Sequence, residues 1–436
     1  MTSLIQNILG NKEENDEEAA ESNELLNKVP PVEQVMNVVV FLKDRSGIHF
    51  TLEDAPLTNC SSLLHLVIHE QGLPAEAADV FCCWLVSPII ELRLKKHHNP
   101  FEVVQRWDEL CARYTDASND EIHDSEPVLM VQRDCFFRKE QEKHIQNEQI
   151  LCLLYHEAKY NVIEGRYILH EEDYHYLAGI QALIHLGSFD SHQHVIANYR
   201  ADLIKFYPEH MYSQPRFGFL KRSNSHTTPV EELFMEAHRR ASEELAHIAS
   251  RDNLGQLYRK YLELLWTYPF YGGAFFNGVV EGKTSRLRRF ILPNPDIRVK
   301  VCINTEGVCL FNQAKADLLL YVPFTQLSWT WQDLPWDGDS DPPPTLMLQF
   351  ICDEQAENQP GKPVTKLLQV YSREARLMDA LIETCVRRKL ESLASNADAD
   401  FVDGGVGDTS ERKLLNKLEK LTLETYTQDG EQLESA

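Results

Sequence analysis

RYILHEEDYHYLAGIQALIHLGSFD, residues 166–190, is the stretch on which the reading of the chain turns. After Asp173-Tyr174, Leu177, Ile180 and Ile184 fall three and four residues apart, which places them on one face of an amphipathic helix. The same period runs outward in both directions. Ile150, Leu151, Leu154 and Ala158 form a stripe before it. Phe234, Ala237, Ala241, Leu245 and Ile248 form another after it, and Leu254, Leu257, Tyr261, Leu265 and Tyr268 a third. Residues 146–270 therefore read as four or five packed helices, with loops at Pro208 and Pro229.

The flanking blocks change period. In residues 35–135, VMNVVVFLKD and GIHFTLED read as two strands joined at Arg45-Ser46-Gly47. Cys60-Ser61-Ser62 then caps a helix with Leu63, Leu64, Val67 and Ile68 on its buried face. VFCCWLVS and IIELRLKK follow as strands, FEVVQRWDELCARY as a second helix and PVLMVQRD as a closing strand, the order of a ubiquitin-like roll. In residues 271–395, VKVCI and VCLFN flank the Gly-bearing turn Asn304–Gly307. Four more strands and the helix EARLMDALIETCVRRKLESLA complete a block patterned like a pleckstrin-homology or phosphotyrosine-binding sandwich. The fold class is thus α+β in three lobes.

Charge separates the core from its tails. The 436 residues hold 43 Lys+Arg and 67 Asp+Glu, a formal charge of −24. Residues 1–34 carry −6 and, being poor in apolar residues, are expected to be a disordered acidic tail. Residues 396–436 carry −6 as well. There Leu414, Leu418 and Leu421 predict a short amphipathic helix over 410–426, which either docks on the core or a partner or has no role. So acidic a chain is not a general nucleic-acid binder, because phosphate contacts need a basic field. The longest apolar run, Val80 to Val86, is seven residues, where a spanning helix needs about twenty. The start has no charged segment leading into an apolar one, so no signal peptide is read. Ten scattered cysteines without paired metal spacing read as buried thiols of a reducing, intracellular compartment.

Catalytic motifs are not found. Kinase and phosphatase signatures are missing, and His156-Glu157 and His170-Glu171 do not continue into HExxH. Gly278–Thr284 has three residues between its glycines where a phosphate loop has four, and reads as a strand-connecting loop. Asp190–His194 reads as a polar loop, not as a metal site. Neither an enzyme nor a cofactor is expected.

The order of lobes, together with Arg166, Leu177, Ala178, Gln181, Leu186, Gly187 and Asp190 in the opening stretch, resembles a FERM domain. YLELLWTYPFYGGAFF (261–276), INTEGVCLF (303–311), YVPFTQLSW (321–329) and LLQVYSREARLMDALIETCV (367–386) extend the likeness into the third block. The resemblance implies a helical lobe shaped like an acyl-CoA-binding protein. It also implies a non-catalytic adaptor for cytoplasmic tails of membrane proteins, peripheral at the inner face of the plasma membrane. WLVSPIIELRLKKHHNPFEVVQRWDEL (84–110) and YPFYGGAFF (268–276) are similar to one branch of that family. That branch implies partnership with iRhom pseudoproteases and the surface sheddase releasing tumour necrosis factor and growth factors, and with the tail of the LRP Wnt co-receptor. The basic actin-binding end of ezrin-type relatives is missing from the tail.

Two surfaces follow from the likeness. A peptide groove is expected between the strand at Leu327, Ser328, Trp329 and Thr330 and a helix face bearing Met378, Ile382 and Cys385, unless those three simply pack the helix. A basic surface is expected from Lys283, Arg286, Arg288 and Arg289 with Lys95 and Lys96. It either meets phosphoinositides, making the chain a lipid-dependent membrane–cytoskeleton organiser, or balances nearby acid.

Overall fold

The computed structural model describes residues 35–53, 55–213, 229–248, 254–283, 296–333, 343–354, 362–395, 424–426 and 432–433. Strand β1 (Met36–Leu42) alternates, burying Val38, Val40 and Leu42, and turns back into β2 (Gly47–Leu52) through Arg45, whose φ is +73°. Asp44 holds this turn by accepting from the Ser46 amide at 2.8 Å. Helix α1 (Cys60–Glu70) lays Leu63, Leu64, Val67 and Ile68 on the sheet. Its cap lies one residue earlier than expected: the Asn59 side chain accepts from the Ser62 amide at 2.9 Å. With β3 (Phe81–Val86), β4 (Glu91–Arg93) and β5 (Val128–Arg133) the sheet order is β2-β1-β5-β3-β4, β1 and β5 parallel. Helix α2 (Trp107–Tyr114) precedes β5.

Helices α3 (Glu148–Ile163), α4 (Glu171–Leu186), α5 (Ile196–Phe206), α6 (Val230–Glu244) and α7 (Gly255–Leu265) form the second lobe. Gly179 sets how closely α4 and α6 approach. A Cβ there would lie 2.4 Å from the Ala237 carbonyl oxygen, so the Leu-Ala-Gly of the opening stretch is a packing requirement.

The third lobe strings β6 (Ala274–Glu281), β7 (Asp296–Ile303), β8 (Gly307–Asn312), β9 (Asp317–Pro323), β10 (Leu327–Gln332), β11 (Thr345–Glu354) and β12 (Lys362–Tyr371) in the order β10-β11-β12-β6-β7-β8-β9. Helix α8 (Ala375–Ser395) covers the end. Two expectations fail here. Gly278–Glu281 is not a connecting loop. It belongs to β6, which alternates buried and less buried residues and pairs with β7 along its length. Gly278 is needed within that strand because a Cβ would meet Val370 Cγ1 at 2.8 Å. The predicted helix over 410–426 also fails at its end, where Glu424–Tyr426 forms strand β13, followed by β14 (Gln432–Leu433). β6 meets β12 at one pair, Tyr371 with Val279. Further along that edge β13 pairs with Thr365–Leu367, so main-chain bonding outweighs the helical period. Leu414, Leu418 and Leu421 lie outside the described residues.

The lobes are tied by one buried acid. Glu142, 0% exposed, is 2.6 Å from Arg133 Nε, and accepts from Trp266 Nε1 at 2.8 Å and Tyr271 Oη at 2.5 Å. Arg133 Nη1 also donates to the Gly272 carbonyl, and the Tyr167 hydroxyl accepts from the Gly272 amide, at 3.2 and 3.0 Å. The buried charge thus takes its partners from the first lobe (Arg133), the end of the helical lobe (Trp266) and the start of the third (Tyr271). A second, Arg166–Glu91, joins the helical lobe to β4.

Candidate functional site

Helix α8 presents three different faces. Met378, Ile382 and Cys385 are 0, 0 and 2% exposed and sit in the core of the third lobe. They hold the helix on the sandwich and do not line an open groove, correcting the expectation for those three residues.

The second face meets β10. That strand pairs with β11 alone, and among the described residues no strand covers its other edge. Leu327 and Trp329 are half-buried, Ser328 and Thr330 exposed. The groove beside them is filled by the protein itself. Trp329 Nε1 donates to Asp379 Oδ1 at 3.0 Å, and the Arg376 guanidinium stacks 4.5 Å from the Trp331 ring.

The third face is open. Leu377, Ala380, Leu381 and Thr384, at helical spacing, look across to the first lobe over a cleft of about 180 Å³. β6 supplies Ala274, Phe275 and Phe276 as its base, Trp84 and Leu94 form the opposite wall, and Leu110 and Tyr114 of α2 close one side. An apolar cavity of about 150 Å³ is enough to hold an aromatic ring. The lining is mostly apolar, with Glu91, Arg93, Lys95, His98 and Arg106 among it.

One side of the cleft is basic. Phe136 lies between two guanidinium groups, Arg93 at 4.7 Å and Arg388 at 4.2 Å from its centroid. Asp134 grips Arg93 with both oxygens, at 2.8 and 2.5 Å. Burial works against the Asp134 charge, but the Arg93 fork outweighs it and holds the carboxyl below its usual range. Lys95, also in the lining, is pulled below the usual lysine range by burial and then by Arg93 and Arg387. His98 is pushed down to about 4 by burial, with His97, Lys95 and Arg93 adding to it, so its ring is neutral at pH 7.

Of the two runs expected to make one lipid surface, only Lys95, Lys96 and Lys283 are among the described residues. Lys95 lines the cleft, Lys96 is exposed nearby in sequence, and Lys283 is exposed just past β6 and outside the lining. Arg286, Arg288 and Arg289 lie outside the described residues. Sequence reasoning missed the cleft. Trp84, Phe136 and Phe276 carry no local mark of a site, and Leu377 and Leu381 are simply apolar residues of the α8 segment.

A FERM central domain family model matches residues 140–276, and a KRIT1/FRMD8 FERM domain C-lobe model matches residues 297–381. FERM domain-containing protein 8 of Xenopus tropicalis is 31% identical over 406 residues, covering 91% of this chain and 86% of that relative. The Homo sapiens protein of the same name is 34% identical over 352 residues, 80% of this chain and 73% of the relative. Among solved structures, the human Myosin 7b C-terminal MyTH4-FERM domain, in complex with harmonin-a PDZ3 domain, superposes with a TM-score of 0.52. It shares 15% identity and covers 82% of this chain and 60% of that one, a likeness of fold.

Proposed function

Because the chain belongs to the FERM family, alongside the FERM domain-containing protein 8 relatives, we propose that it is a non-catalytic adaptor that docks cytoplasmic tails of membrane proteins in the cleft between its first and third lobes. The observation carrying the place of docking is the open face of α8, set against an apolar wall from another lobe. The specific clients proposed are the tail of an iRhom pseudoprotease, in support of the sheddase complex, and the tail of the LRP Wnt co-receptor, in restraint of its signalling. Both rest on similarity to the relatives over most of the chain. The work is done at the cytoplasmic face of the plasma membrane. No helix among the described residues is long and apolar enough to cross a membrane, so attachment there comes through a partner or through lipid.

Magnitudes say what kind of docking this is. Burying one Leu- or Phe-sized side chain yields about 1.5–3 kcal/mol. A micromolar complex needs about 8 kcal/mol. One anchor in the cleft therefore sets the register of a tail, and contacts elsewhere on the surface supply most of the affinity. Affinity purification of the full chain from cells, followed by mass spectrometry, is expected to recover membrane proteins with cytoplasmic tails. Recovery of none contradicts the adaptor reading.

A further inference from the structure

The adaptor reading leaves open what kind of segment enters the cleft, and the charges around it narrow the choice. Four cations, Arg93, Lys95, Arg387 and Arg388, gather where α8 passes Phe136. Arg93 is satisfied by Asp134 and Arg387 lies 3.8 Å from Glu391. Lys95 and Arg388 form no ion pair within 4 Å among the described residues, although the Arg388 charge reaches Asp134, already gripped by Arg93. Lys95 is half-buried, and the charges that reach it are cationic. A partly desolvated ammonium surrounded by like charge, beside an apolar cleft, is an arrangement that an incoming anion relieves.

Resting on the adaptor reading, we propose that the cleft selects an acidic peptide segment, in which one bulky apolar side chain fills the cavity and a carboxylate within about three residues of it meets Lys95 and Arg388. The scale of the cationic site favours a peptide over a bilayer. Phosphoinositide surfaces use about four to eight Lys or Arg, whereas here two of the four cations are already paired within the chain and the two left match one or two carboxylates. The chain's own charge of −24 also opposes approach of an anionic membrane except through such a local site. The apolar lining asks for a hydrocarbon side chain directly beside the charge, which a mixed acidic and apolar peptide provides.

The test is selection from a random-peptide display library on the full chain, run in parallel on Ala380→Trp, which fills the cleft, and on Lys95→Glu/Arg388→Glu. All three proteins are first matched for thermal midpoint, and Lys95→Arg/Arg388→Lys serves as a conservative control. Peptides that bind the wild-type chain and are lost on Ala380→Trp are expected to carry Asp or Glu within three positions of Leu, Ile, Phe or Trp. Their binding should fall at least tenfold on the charge-reversed chain and hold within about threefold on the conservative one. Cleft-dependent peptides without acidic enrichment, or with affinity unchanged by charge reversal, overturn the proposal while leaving the adaptor reading in place. If no cleft-dependent peptide emerges, the adaptor reading of the cleft fails instead. Vesicles containing a phosphoinositide form a separate arm. Vesicle binding lost on both variants, without acidic peptides among those selected, overturns the proposal in favour of lipid.

Discussion

The two grooves on either side of α8 are built from one helix and differ in what occupies them. On the β10 side, two tryptophans already lie in the groove, one bonded to Asp379 and one stacked on Arg376. On the other side, Leu377, Ala380 and Leu381 face a cavity with room for a ring. Both grooves are apolar, and the pattern of the sandwich points to the first. What separates them is self-complementarity: a groove whose volume is already filled by its own tryptophans leaves little for a partner to gain.

The core face of the helix gives the largest expected effect. Ile382→Ala removes a side chain that is 0% exposed and should lower stability by about 2–5 kcal/mol, read in chemical denaturation. A cost under 1 kcal/mol would mean that the face is not packed as described, and the contrast between the faces would collapse.

A pH-dependent effect comes next, at the helix start. Glu374 is 5% exposed and bonds its carboxylate to the Asn277 amide and side-chain nitrogen at 3.3 and 3.1 Å. Burial raises its carboxyl to about 7, although these bonds and Lys300 oppose the rise. A raised carboxyl favours the protonated fold. Its contribution is therefore complete below the ordinary carboxylate range near 4.5 and is lost as pH climbs through about 7. Glu374→Gln should match the wild type near pH 4.5 and exceed it by up to about 3 kcal/mol near pH 8, judged by denaturation midpoints at both values. A difference of the same size at both pH values contradicts this account of how α8 is anchored.

Much of the fold was legible because its signals are local. The stripe at Leu177, Ile180 and Ile184 lies within one helix, and Val38, Val40 and Leu42 alternate within one strand. The cleft was not, because its walls come from β3, α2, Phe136, β6 and α8, each of which looks locally like core. Along α8 the sequence marks Leu377, Met378, Leu381, Ile382 and Cys385 alike as apolar. Only the position of the first lobe shows that the first and third face open space and the others do not. Glu142 was hidden for the same reason: in Lys-Glu-Gln-Glu-Lys it looks like a solvated charge run, yet its partners lie up to 129 residues away. Tail pairing onto β12 depends on a sheet edge that β6 leaves unpaired, which no period in residues 410–426 encodes.

The most direct test compares the two grooves in one measurement, capture of tail-bearing membrane proteins by the full chain carrying either Ala380→Trp or Trp329→Phe. Ala380→Trp should reduce capture at least tenfold with its thermal midpoint preserved. Trp329→Phe, which loses the bond to Asp379 and part of the ring's packing at a cost of about 1–3 kcal/mol, should leave capture within twofold. Capture that survives a filled cleft but is lost on Trp329→Phe would contradict the account and move the docking site to β10.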